Sequence, residues 1–307
     1  MGIIIYSHII LEFRERSQKL IYNIKQMPWK LYIDSRKRVP HARGDNHSDF
    51  AIQLPYPITV SGKCFIDVVL LTNSFYTIRT GENDRIYLDE TAANTKRIAI
   101  IAPGQYNVYE LQAALITALT TNKLITGQYN VTYLPTLNKF QIDITNPAVS
   151  DSFHIWPETY LKTNFVSWFA TFAFLDANDM QSANSVCGFI DGSLLIGNNT
   201  TAIIGPNSPD VQPYKQLFLR SNLGGGAAES LGLNGETDII RRLVVGNVPA
   251  NALIHDIHNQ ALDCVKINGH PELMQLWFQL IDSDGKTVNT HGHPISFSVI
   301  FQDIDDY

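Results

Sequence analysis

The sequence predicts an all-β fold: a single jelly-roll sandwich with one short helix and an inserted lobe or elaborated loops. Three observations carry this. Apolar residues alternate with polar ones at a period of two in several short runs, as in Tyr129, Val131 and Tyr133 or Ile295, Phe297, Val299 and Phe301. Turn-forming residues separate roughly eight to ten such runs at irregular spacing, which suits a sandwich rather than repeated βαβ units. One segment stands out as helical, with Val108, Leu111, Leu115, Ala118 and Leu119 at helical spacing.

The chain of 307 residues has room for a large core. Residues 1–30 read as an N-terminal arm and 31–307 as one jelly-roll domain, with an insertion at about 146–213. Within the arm, Glu12, Arg14 and Glu15 interrupt the apolar start too early for a signal peptide, and Tyr6 stands where a myristoylation signal needs Ser or Thr. Arg14, Arg16, Lys19 and Lys25 mixed with Leu20, Ile21 and Ile24 make the arm basic and amphipathic.

Tyr32-Ile33-Asp34-Ser35-Arg36 opens the body. Asp49 to Leu54 reads as a strand ended by Pro55 and Pro57. Cys64 to Thr72 is more continuously apolar and is expected to be buried on both faces. Short strands follow around Ile86 and from Ile98 to Ile101. Pro103-Gly104-Gln105 is a turn, and Asn107 with Glu110 forms a capping box for the helix. The helix is expected to pack on a sheet near one end of the sandwich. Tyr129–Tyr133 and Phe140–Ile144 then form a hairpin through Leu134 to Asn138. The 146–213 stretch mixes aromatic clusters (Phe165, Trp168, Phe169, Phe172, Phe174) with loop-like runs. Strands return at Gln216–Arg220, Leu243–Val245, Leu273–Ile281 and Ile295–Phe301, the last two joined by Asp282-Ser283-Asp284-Gly285-Lys286.

Composition narrows the function. A net charge of -6 argues against nucleic acid as the main partner, and 17% charged residues leave much neutral surface for burial against neighbours. Three widely spaced cysteines (Cys64, Cys187, Cys264) give neither a disulfide framework nor zinc spacing, which points to a reducing compartment. No run approaches eighteen apolar residues, so no membrane span is expected.

Candidate chemistry is thin. His291 and His293 are two apart, and His255 and His258 three apart, but no third ligand joins them at a matching position. Surface-loop histidines are the simpler reading. Asp282, Asp284 and Gly285 echo a calcium loop without its later Glu, and Gly224-Gly225-Gly226 lacks the Lys-Ser/Thr ending of a phosphate loop. The aspartates Asp303, Asp305 and Asp306 read as a solvated tail. No nucleophile elbow occurs. Catalytic residues, metal and cofactor are therefore all expected to be absent, and the chain is not expected to be an enzyme. Arg43-Gly44-Asp45 is a candidate receptor motif, and Trp168, Phe169 and Phe172 are candidate ligand or interface aromatics.

Tyr32–Arg36, Gly44, Ser48-Asp49-Phe50 leading to Leu54-Pro55, Pro103-Gly104-Gln105-Tyr106, Leu111–Leu119, Tyr129–Tyr133, Phe140-Gln141-Ile142, Leu231-Gly232-Leu233, Asp282–Gly285 and Ile295–Phe301 follow one another in an order that is similar to the minor capsid (penton) proteins of virophages and polinton-like viruses. The resemblance spans about residues 31–301, matches 146–213 poorly and leaves the arm unmatched. It implies a structural virion protein, made inside the host cell, that forms a homopentamer at fivefold vertices. It further implies contact with a major capsid protein of the double jelly-roll hexon type. The insertion would crown the vertex, and the arm would face the genome or inner shell. Gly44 would be a turn position before the first strand. The alternative is a carbohydrate- or receptor-binding jelly roll, a virion attachment module in which the aromatics of the insertion stack on the ligand. A cupin-like metalloenzyme is the third reading.

Overall fold

The computed structural model describes residues 29–40, 45–59, 62–90, 95–164, 181–224, 238–246, 248–257, 264–267 and 272–302. In chain order the strands are β1 (Trp29–Asp34), β2 (Asp49–Thr59), β3 (Lys63–Thr72), β4 (Arg85–Glu90), β5 (Thr95–Ile100), β6 (Gln128–Leu134), β7 (Lys139–Thr145), β8 (Ser152–Ile155), β9 (Leu195–Asn198), β10 (Ile203–Ile204), β11 (Gln216–Ser221), β12 (Ile239–Val244), β13 (Leu253–Ile257), β14 (Val265–Lys266), β15 (Glu272–Ile281) and β16 (Ile295–Gln302). The helices are α1 (Val108–Thr120), α2 (Glu158–Asn164) and α3 (Asn184–Cys187). The chain divides into two compact units: Met1–Ser74 with Tyr214–Tyr307, and Phe75–Pro213.

The first unit is a jelly roll. One sheet has the order β1-β16-β3-β13, with β14 also on β3, and the other β12-β11-β15-β2. Counting its eight longer strands along the chain, the sheets read 1-8-3-6 and 5-4-7-2, the order two nested Greek keys produce. Every ladder is antiparallel. Alternation drives the layering: Ile66, Val69, Leu71, Phe297 and Val299 of one sheet are buried, as are Phe50, Leu217, Leu219, Leu276 and Phe278 of the other. Across the layers, Phe297 meets the rings of Phe278 and Phe50 at 4.8 and 6.5 Å between centroids.

Three expectations change here. β2 runs through Pro55 and Pro57 to Thr59. It lies at the edge of its sheet, where a proline costs no ladder bond on its open side, and its pairing with β15 shifts between Leu273 and Gln275. β3 is central but buried on one face only; Phe65, Val68 and Leu70 on the other face are half-exposed. The Asp282–Lys286 turn folds back onto β15, with Val288 N–H donating to Leu280 O at 3.0 Å. The chain then continues to β16 in the other sheet, so β15 and β16 are not hairpin partners.

The second unit holds the helix and hairpin, so α1 packs outside the jelly-roll unit. Asn107 Oδ1 accepts the N–H groups of Tyr109 and Glu110 at 3.0 Å each, and Glu110 accepts the Asn107 N–H at 2.8 Å, completing the capping box. Leu111, Leu115, Ala118 and Leu119 are buried in a core shared with Leu88, Tyr129, Phe140 and Phe153. Its sheets are β5-β4-β8-β9 and β10-β7-β6. The unit begins at Phe75, whereas the sequence suggested an insertion from about 146. The strands from 85 to 145 have clear patterns of their own, which made them look continuous with the sandwich; only the pairings separate them from it.

Candidate functional site

Several sequence candidates lie outside the described residues: Arg43, Gly44, His258, Trp168, Phe169, Phe172, Gly225, Gly226, Asp303, Asp305, Asp306 and the whole 1–28 segment. Asp45 is exposed, and its carboxylate takes the Arg38 Nε–H at 2.9 Å. His255 sits exposed on β13 opposite Leu70, and His291 and His293 lie in the connection entering β16. Among the described residues no three His, Cys, Asp or Glu side chains converge as a metal site would need. Burial pushes the Cys64 thiol up to about 12, far from a reactive thiolate. Asp282 Oδ1 is taken by the N–H groups of Asp284 and Lys286, each at 2.9 Å, so this carboxylate closes a turn. No helix among the described residues is long and apolar enough to cross a membrane.

Two surfaces of the jelly-roll unit remain. The first is a cavity of about 480 Å³ at one end of the sandwich, lined by Arg38, Asp45, His47, Asn289, Thr290 and Gly292 among others. Arg38 follows the 3-10 turn Ser35–Lys37, which is capped by Asp34, whose carboxylate accepts the Arg36 N–H. Asn46 Oδ1 accepts the N–H groups of Ser48 and Asp49 at 2.8 and 2.9 Å and bends the chain into β2. Opposite, Asn289 Oδ1 accepts the His291 N–H at 2.8 Å, and His291 adopts a positive φ of 50°. Sequence patterns gave no sign of this cavity, because its two loops are about 240 residues apart.

The second surface is the outer side of the β1-β16-β3-β13 sheet. Register sets Lys30, Ile300 and Phe65 in one row and Tyr32, Ser298, Val68 and Ile257 in the next. Tyr32 is 77% exposed, Leu253 57% and Ile257 51%. Its polar groups satisfy one another: Asp67 accepts Lys30 Nζ at 2.6 Å and also the Ser298 hydroxyl.

The opposite sheet is finished differently. On its outer side Arg220 forks onto Asp238 at 2.6 and 3.1 Å and lies 5.7 Å above the Trp277 ring. Trp277 Nε1–H donates to Asp49, and Gln279 donates to Asp49 and to Thr287. Polar pairs thus cover the Trp277 ring, while Val244 at 58% and Met274 at 47% stay exposed elsewhere on this sheet.

In the second unit the buried polar groups are structural. Glu90 is fully buried and accepts Arg97 Nε–H and Nη2–H, the Tyr129 hydroxyl and the Leu124 N–H at 2.7–2.9 Å. Arg97 also donates to the Leu119 and Thr121 carbonyls, satisfying the C-terminal end of α1. Asp151 receives the N–H groups of Thr126, Gly127 and Ala148 and ties the region after β7 to the loop before β6.

No family model and no curated protein sequence matches the chain. Among solved structures it is similar to the mavirus penton protein, with a TM-score of 0.48 and 11% sequence identity, over 91% of this chain and 100% of that one.

Proposed function

We propose that the chain is a structural viral capsid protein: a vertex subunit that forms a homopentamer and contacts the major capsid protein. The role is non-enzymatic, its place is the virion, and the basic arm faces the genome or inner shell. The observation that carries this reading is the outer side of β1-β16-β3-β13, where Tyr32, Leu253 and Ile257 stand exposed side by side with half-exposed Phe65, Val68 and Leu70. Large open apolar faces mark surfaces covered by protein. The segment-by-segment resemblance of residues 31–301 to penton proteins supports the vertex role. A head-to-tail interface closes into a ring when its rotation divides the circle, and a fivefold vertex needs five copies.

The test is mass photometry of the purified chain, alone and mixed with the major capsid protein of the same virus, followed by imaging of the particles. Rings of five that dock at vertices support the reading. A chain that stays monomeric in both conditions and is missing from particles overturns it.

A further inference from the structure

Ser35 is fully buried at the turn that ends β1. Its hydroxyl oxygen has two partners: the Ile295 N–H at 2.9 Å, entering β16, and His47 Nδ1 at 2.8 Å, just before β2. The amide of Ile295 donates, so it occupies a lone pair of the oxygen. The oxygen keeps a second lone pair, but its proton has no acceptor among the described residues other than His47 Nδ1, so every group is satisfied when Nδ1 accepts and the imidazole carries its own proton on Nε2. The buried hydroxyl proton thereby favours this tautomer and the neutral ring. Once the ring is protonated, both nitrogens are donors, and the Ser35 hydroxyl is left buried with nothing to accept its proton.

We propose that this end of the sandwich is an acid-released latch, in which neutral His47, held by Ser35, pins together the end of β1, the entry to β2 and the entry to β16, and lets go when the imidazole is protonated.

The surroundings favour release. Burial and then Arg38 hold the His47 imidazole below its ordinary value; Arg36 and His293 act the same way and Asp34 opposes them. The Asp45 carboxylate is engaged by Arg38. His293, in the β15–β16 connection with His291 beside it, also disfavours a charged His47 ring. A histidine whose folded value is depressed contributes stability above the ordinary value of about 6.5, and that contribution is lost as pH falls through the folded value. The 480 Å³ cavity next to the ring gives water a place to enter.

The experiment is hydrogen exchange by mass spectrometry on the full chain at pH 7.5 and 5.0, corrected for intrinsic rates. Peptides covering 45–49 and 293–296 are expected to exchange about tenfold faster at the lower pH, the scale set by one buried donor losing its acceptor. His47→Asn places an amide oxygen near the position of Nδ1 and is expected to abolish the difference, while His291→Gln with His293→Gln keeps most of it. Equal exchange at the two pH values in the wild type overturns the latch, as does an undiminished acid response in His47→Asn. Should that variant not fold, the wild-type His47 titration followed by NMR decides: a midpoint below about 6.5 supports the latch, and one at or above it overturns it.

Discussion

Phe297 of β16 stands edge-on to Phe278 of β15, with ring centroids 4.8 Å apart and planes at 77°. This pair joins the two sheets of the jelly roll. Phe297→Ala is expected to lower unfolding stability by about 3–5 kcal/mol through the cavity it leaves. Urea denaturation checks this, and a loss below about 1 kcal/mol would mean that the sheets are not packed through these rings.

Glu90 and Arg97 form a buried pair whose partners include a helix end and a tyrosine hydroxyl. Glu90→Ala strands the guanidinium and is expected to cost about 3–5 kcal/mol. The double variant Glu90→Ala with Arg97→Met is expected to recover part of that loss, because it removes the uncompensated charge. Equal stability of the single and double variants would show that the pair does not act as a unit.

The capping box of α1 gives a smaller, local effect. Asn107→Ala is expected to cost about 1 kcal/mol, and Asn107→Ser much less, since serine also accepts from the first-turn amides. Thermal unfolding of the three proteins side by side measures it.

The open face of the first sheet predicts a split between stability and assembly. Phe65→Ser with Ile257→Ser removes apolar side chains that are already partly in water, so each is expected to change stability by about 1 kcal/mol or less. Association is expected to fall at least tenfold by analytical ultracentrifugation. Unchanged association would move the interface to another surface.

Much of this molecule was legible in its sequence where local rules suffice. Asn107 and Glu110 announced the helix start, the period of Leu111, Leu115 and Leu119 its buried face, and Tyr129 to Ile144 the hairpin. What escaped was long-range. Nothing local tells that Phe140 and Phe297 belong to different cores, because both alternate with polar neighbours in the same way. The continuous apolar run of β3 suggested burial on both faces, and the structure buries one. The Ser35–His47–Ile295 link joins residues from both ends of the chain, and each looks ordinary in its own segment.

The strand order also bears on how the protein is made. β1, β2 and β3 leave the ribosome first, yet their ladder partners are β16, β15 and β13, all encoded after residue 213. Between them comes the whole Phe75–Pro213 unit, whose strands, among the described residues, pair with one another. At ordinary synthesis rates the first three strands wait roughly ten to fifty seconds for partners, with the apolar Cys64–Leu71 run exposed meanwhile. The inserted unit can finish within that interval, which brings the two halves of the jelly roll into being as late-joining pieces. A cell making this chain in quantity needs chaperone capacity for that early fragment, and truncated products ending between residues 75 and 213 are the ones expected to aggregate.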